Sequence, residues 1–121
     1  MEEFHTLRIE LAPSEPVKLS ASFVSEHGGH KVVKLFREEY QAGDARFDDA
    51  IYIRDEYRPA TEKLLANEGA REAILQLVGG EGTLLIKEGT IEFELRHRGA
   101  IDEPAYVRAA LVLSRHVSRL D

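Results

Sequence analysis

Cysteine is absent from this 121-residue chain, so neither a disulfide nor a thiolate metal site is open to it. Nothing in that composition requires an oxidising compartment. No apolar run approaches the roughly 18 residues that suggest a membrane span. The opening residues MEEFHTLRIE carry neither a basic n-region nor an apolar h-region, which argues against a signal peptide. Basic clusters are scarce too. The densest is Arg96-His97-Arg98, and Glu92 and Glu94 lie on the same segment. With 22 acidic residues against 16 basic ones, the formal charge of −6 repels phosphate backbones, so nucleic acid is not an expected partner. Nucleophile motifs are also missing. None of Ser14, Ser20, Ser22, Ser25, Ser114 and Ser118 sits in a G-x-S-x-G elbow, and His5, His97 and His116 are isolated in sequence.

What is present describes a globular domain. An apolar share of 43% and a charged share of 31% suit a folded, soluble chain. Its length fits one domain over residues 1–121, able to bury roughly two-thirds of the surface its unfolded form exposes.

Patterning along the chain predicts a mainly antiparallel sheet of about six strands, in the order ββββααββα. Leu7, Ile9 and Leu11 alternate with Thr6, Arg8 and Glu10, the period of a strand with one buried face. Pro13-Ser14-Glu15-Pro16 makes a turn, and odd-numbered apolar positions from Val17 to Phe23 predict a second strand forming a hairpin or meander with the first. Val32 to Phe36 fits a short strand or a helical turn, with strand favoured by the β-branched start and the preceding Gly28-Gly29. Phe47, Ile51 and Ile53 share the face of a fourth strand. Pro59 opens a short helix that buries Leu64 and Leu65, with Asp55 or Glu56 placed to cap it. Ala70, Ile74, Leu77 and Val78 define a second helix, which Gly79-Gly80 stops. A hairpin follows, turning at Glu88-Gly89 between Leu84/Ile86 and Ile91/Phe93/Leu95. Its strict alternation predicts a sheet with one packed and one wet side. From Pro104 onward, Tyr106, Ala110, Leu113, Val117 and Leu120 recur at helical spacing, with Val107 and Leu111 widening the stripe. That stripe reads as core or as a seam for a second copy or a partner helix.

Three local patterns could carry chemistry. His27-Gly28-Gly29-His30 places two imidazoles at a turn, but no cysteine or suitably spaced carboxylate completes a ligand set. Glu38-Glu39, Asp44, Asp48-Asp49 and Asp55-Glu56 concentrate acid in the middle of the chain without the spacing of a calcium loop. Asp49 shares the strand parity of Phe47 and Ile51, which marks it for a buried partner. Gly79-Gly80-Glu81-Gly82 runs from helix into strand, the reverse of a phosphate-cradling loop, and reads as a stop and turn. No metal or other cofactor is assigned from these patterns.

The lead-in Gly43-Asp44-Ala45-Arg46-Phe47-Asp48, the paired Leu64-Leu65, the helix ending in small residues and the following hairpin resemble the soluble domain of a loose group of bacterial proteins of unknown function. In some of them this domain lies next to membrane-spanning segments. The resemblance covers most of the chain and implies a module with no catalytic residues to carry over. This chain then reads as a free-standing version or as a fragment of something longer.

The expected function is a non-enzymatic protein-interaction module, homodimeric in one form, with self-association or an unknown protein as partner and Tyr106, Ala110, Leu113, Val117 and Leu120 as the interaction face. A cytoplasmic location is expected, or attachment as the soluble part of a membrane-anchored protein, without direct membrane insertion. The alternative is a metal-dependent enzyme or small-ligand binder using the acidic centre or the His27/His30 turn. A third reading is similarity to the small, acidic, dimeric chaperones of type III secretion. Those begin with a helix, whereas Met1 to Leu11 reads as a strand.

Overall fold

The computed structural model describes residues 4–25, 44–55, 58–79 and 82–120. Five strands form one antiparallel sheet: His5–Leu11 (β1), Ala21–Ser25 (β2), Ile51–Asp55 (β3), Thr83–Lys87 (β4) and Thr90–His97 (β5). Their spatial order is β1-β5-β4-β2-β3. Helices run over Ala45–Ala50 (α1), Arg58–Leu65 (α2), Glu68–Val78 (α3) and Glu103–Ser118 (α4). The α+β class and the antiparallel sheet agree with the sequence expectation, with five strands rather than about six among the described residues. The predicted strand Val32 to Phe36 lies outside them.

The register explains the core. Across the sheet, Ile9, Phe93, Leu84, Phe23 and Ile53 form one row of facing residues, and Leu11, Ile91, Ile86 and Ala21 another. All but the two β1 residues are buried. In α3, Ala70, Ile74, Leu77 and Val78 are buried as their spacing predicts, and in α2 Thr61 joins Leu64 and Leu65. α3 packs on β2 and β4, α4 packs on β1 and β5, and the two helices lie against each other. The opposite face of the sheet carries Arg8, Glu10, Glu92, Glu94, Thr83 and Arg54, all exposed. One side is packed and the other wet, as the alternation requires.

Three local expectations are corrected. β1 and β2 do not pair: the β4–β5 hairpin inserts between them, and β1 joins β5 while β2 joins β4 and β3. The segment after Pro16 crosses the tip of that hairpin. There Val17 N donates to Glu88 O at 3.0 Å and Gly89 N donates to Leu19 O at 3.1 Å. Second, the extended run from Val17 is interrupted, because Leu19 N donates to Val17 O at 2.7 Å in a three-residue turn. Val17 and Leu19 are therefore buried without belonging to β2. Third, Phe47 is not on a strand. Asp44 caps a helical turn, accepting from Phe47 N at 3.3 Å, and the buried Phe47 ring reaches the core from α1, while Ile51 and Ile53 do so from β3.

Candidate interaction surface

The sites expected from sequence resolve unevenly. His27, His30, Glu38, Glu39 and Glu56 lie outside the described residues, as do the side chains of Asp48 and Asp49 on α1. The other central acids are engaged within the fold. Asp44 caps α1 and accepts from Arg71 Nε at 3.1 Å, while Arg71 Nη1 donates to Leu65 O at 2.6 Å. The Phe47 N–H, ahead of the Arg71 contact, holds the Asp44 carboxyl below its ordinary range against a smaller opposing effect of desolvation. Asp55 is buried at its carboxylate and accepts from Arg58 Nε at 2.8 Å. Among the described residues no three His, Asp or Glu side chains converge as metal ligands. Gly79 is the C-cap of α3, and Gly82 packs against Phe93, so those two glycines serve a helix end and a close turn.

The C-terminal stripe faces inward, which corrects its reading as an interaction face. Ala110, Leu113 and Val117 are buried in the core, Tyr106 stacks on Phe93 at 5.6 Å between ring centroids, and Leu120 is half-buried. The exposed apolar residues of α4 are Val107, Leu111 and Val112. Val112 lines a shallow groove with Ala105, Ala109 and α3 residues Glu72, Ala73 and Gln76. Helical periodicity turns Val107 and Leu111 to the other flank of α4, away from α3. Since α3 lies over β2 and β4, that flank is the one above the β1 edge.

β1 is the end of the sheet order, and its outer side pairs with no described strand. It is seven residues long, contains no proline, and keeps an unbroken register from His5↔His97 to Leu11↔Ile91, so no bulge blunts it. Leu7, Ile9 and Leu11 point to the helix side yet are only half-buried, and among the described strands β1 has a neighbour on one side alone. On the wet face Arg8 Nη2 meets Glu94 Oε2 at 2.8 Å, and Glu10 stands opposite Glu92. The exposed Leu85 completes a row with Glu92, Ser22 and Arg54. At the start of the strand, the guanidiniums of Arg96 and Arg98 lie 4.4 and 4.1 Å from the Phe4 ring centroid, so the densest basic spot of the sequence is folded over an aromatic ring.

No family model matches the chain, and neither curated proteins nor solved structures give a significant match.

Sequence reasoning placed the charged residues of β1 and β5 but not the surface itself, and it did not single out Arg54, Thr83 or Val112. Alternation placed Arg8, Glu10, Glu92 and Glu94 on wet faces, but which strand stands beside which is a long-range property. The outward flank of Val107 and Leu111 had a usable signal, since they are a quarter-turn or more from the Ala110–Leu113–Val117 line. Among the described residues no helix is long and apolar enough to cross a membrane.

Proposed function

We propose that this chain is a non-enzymatic interaction module that works through its sheet, by self-association or with a protein partner. The observation that carries the reading is the surface that α3 and α4 leave uncovered. A charged wet face adjoins an unblunted seven-residue edge strand, and an apolar helix flank stands above that edge. Main-chain groups along such an edge offer affinity, and the side chains beside it offer selectivity. The resemblance to a soluble bacterial domain agrees with this role and is proposed with it.

The test compares the immobilised wild-type domain with a Glu92→Lys/Glu94→Lys variant and a Gln76→Lys control on the helix side. A protein retained by wild type and control but released by the wet-face variant is the expected result. Equal retention by all three, together with thermal stabilisation by a divalent ion or metabolite, would support the ligand-binding alternative instead.

A further inference from the structure

Resting on the interaction reading, we propose that the partner at the β1 edge is a second copy of this chain. β1 pairs antiparallel with β1 of the copy in the register centred on Ile9, joining the five described strands of each copy into one continuous sheet. The register follows from the strand's own sequence. An antiparallel pair centred on Ile9 sets Arg8 opposite Glu10 twice, Leu7 opposite Leu11 twice, and Ile9 opposite itself. Centring on Arg8 would face arginine with arginine, and centring on Glu10 would face glutamate with glutamate. Facing pairs in an antiparallel ladder lie on the same side, so this register also keeps apolar residues with apolar ones.

Two features outside the strand agree with the pairing. Within one chain Glu10 faces Glu92, an unfavourable like-charge pair across the ladder. The copy's arginine arrives on the other side of Glu10 and offsets that repulsion. Arg8, exposed and bonded to Glu94 at 2.8 Å, would then stand between two carboxylates. The two-fold axis runs perpendicular to the joined sheet, so both α4 helices lie on the same side. Each α4 packs on β1 and β5 and turns Val107 and Leu111, 41% and 43% exposed, towards the axis. Pairing the edges brings these apolar flanks face to face and covers the half-exposed Leu7, Ile9 and Leu11.

Charge reversal at the edge tests the proposal with a built-in rescue. Light scattering over micromolar concentrations should show a wild-type dimer. Arg8→Glu alone makes the edge acidic, Glu10→Arg alone makes it basic, and each should weaken self-association about tenfold or more. Mixing the two variants should restore association, because an acidic edge then meets a basic one in the same register. Misfolding of either variant could not produce that recovery. A second measurement uses the absence of cysteine. Ile9→Cys should cross-link to its own copy on mild oxidation, since facing Cα atoms roughly 4.5–5.5 Å apart suit a disulfide. Leu7→Cys should not, because the two copies of position 7 are offset by roughly 13 Å along the strands. A monomeric wild type would overturn the pairing while leaving partner capture to decide the interaction reading. A dimer indifferent to both charge variants, or cross-linking equally at positions 7 and 9, would place the interface elsewhere and also overturn it.

Discussion

Asp44 and Arg71 stand 27 residues apart in the chain, yet their side chains meet at 3.1 Å, joining the start of α1 to α3. The same arginine reaches Leu65 O at the end of α2, so one residue ties three helices together. The exposed Arg46–Glu72 ion pair adds a second link between α1 and α3.

This arrangement makes stability sensitive to acid. The carboxyl of Asp44 is held below its ordinary value of 3.8, first by the Phe47 N–H and then by Arg71. The unfolded chain therefore takes up this proton at a higher pH than the folded one. The contribution is complete above about pH 4 and is lost as pH falls from there through the folded value. Thermal midpoints should rank wild type above Asp44→Asn and Asp44→Ala lowest at pH 7, because asparagine retains a cap but not the ion pair. The gap between wild type and Asp44→Asn should close as the pH is lowered below 4.

Phe47 is fully buried although only a six-residue helix carries it. Phe47→Ala should cost about 3–5 kcal/mol by chemical denaturation. That is a large part of the roughly 5–15 kcal/mol typical of a domain, so a strongly lowered denaturation midpoint is the expected outcome.

Gly82 allows a close approach between the α3–β4 connection and β5. A Cβ there would lie 2.5 Å from Phe93 Cε1 and 2.6 Å from the Leu77 carbonyl oxygen. The carbonyl belongs to a helix and cannot swing aside, so Gly82→Ala should destabilise by about 1–3 kcal/mol. Gly82→Ser should be at least as damaging when measured by the same denaturation midpoint.

The β4–β5 turn holds two residues at positive φ, Glu88 at 51° and Gly89 at 87°. Only the second is a glycine. Glu88→Asn should stabilise by about 0.5–1 kcal/mol, because asparagine tolerates the left-handed region better. Gly89→Ala should destabilise, since a Cβ at that φ would also sit 2.9 Å from Val17 Cβ. Opposite shifts in thermal midpoint for the two variants are the expected readout.

The legible parts of the fold were those governed by neighbours in sequence. The two-residue turn, the buried faces of β4, β5 and α3, and the apolar stripe of α4 all follow from periodicity over a few residues. The passage from Asp44 to Ile53 was harder. Phe47, Ile51 and Ile53 share a parity that a strand would satisfy, but the Asp44 cap starts a helical turn, and Phe47 reaches the core from there. Val17 and Leu19 mislead similarly: burial follows the alternation, but their backbone bonds go to the tip of the hairpin rather than to a neighbouring strand.

By itself the sequence determined the α+β class, the inward sides of β1, β4, β5 and α3, and the charges along β1. These depend on local periods and on the burial preference of each residue type. Only tertiary structure decided that β5 takes the place beside β1, that Ala110, Leu113 and Val117 are core, and that β1 ends the order of the described strands with Val107 and Leu111 above it. Strand neighbours are chosen by contacts between residues far apart in the chain, and no local pattern encodes which of several matching faces will meet. The Arg8–Glu10 complementarity was written in the sequence from the start. It becomes available for pairing only because no described strand lies along the outer side of β1.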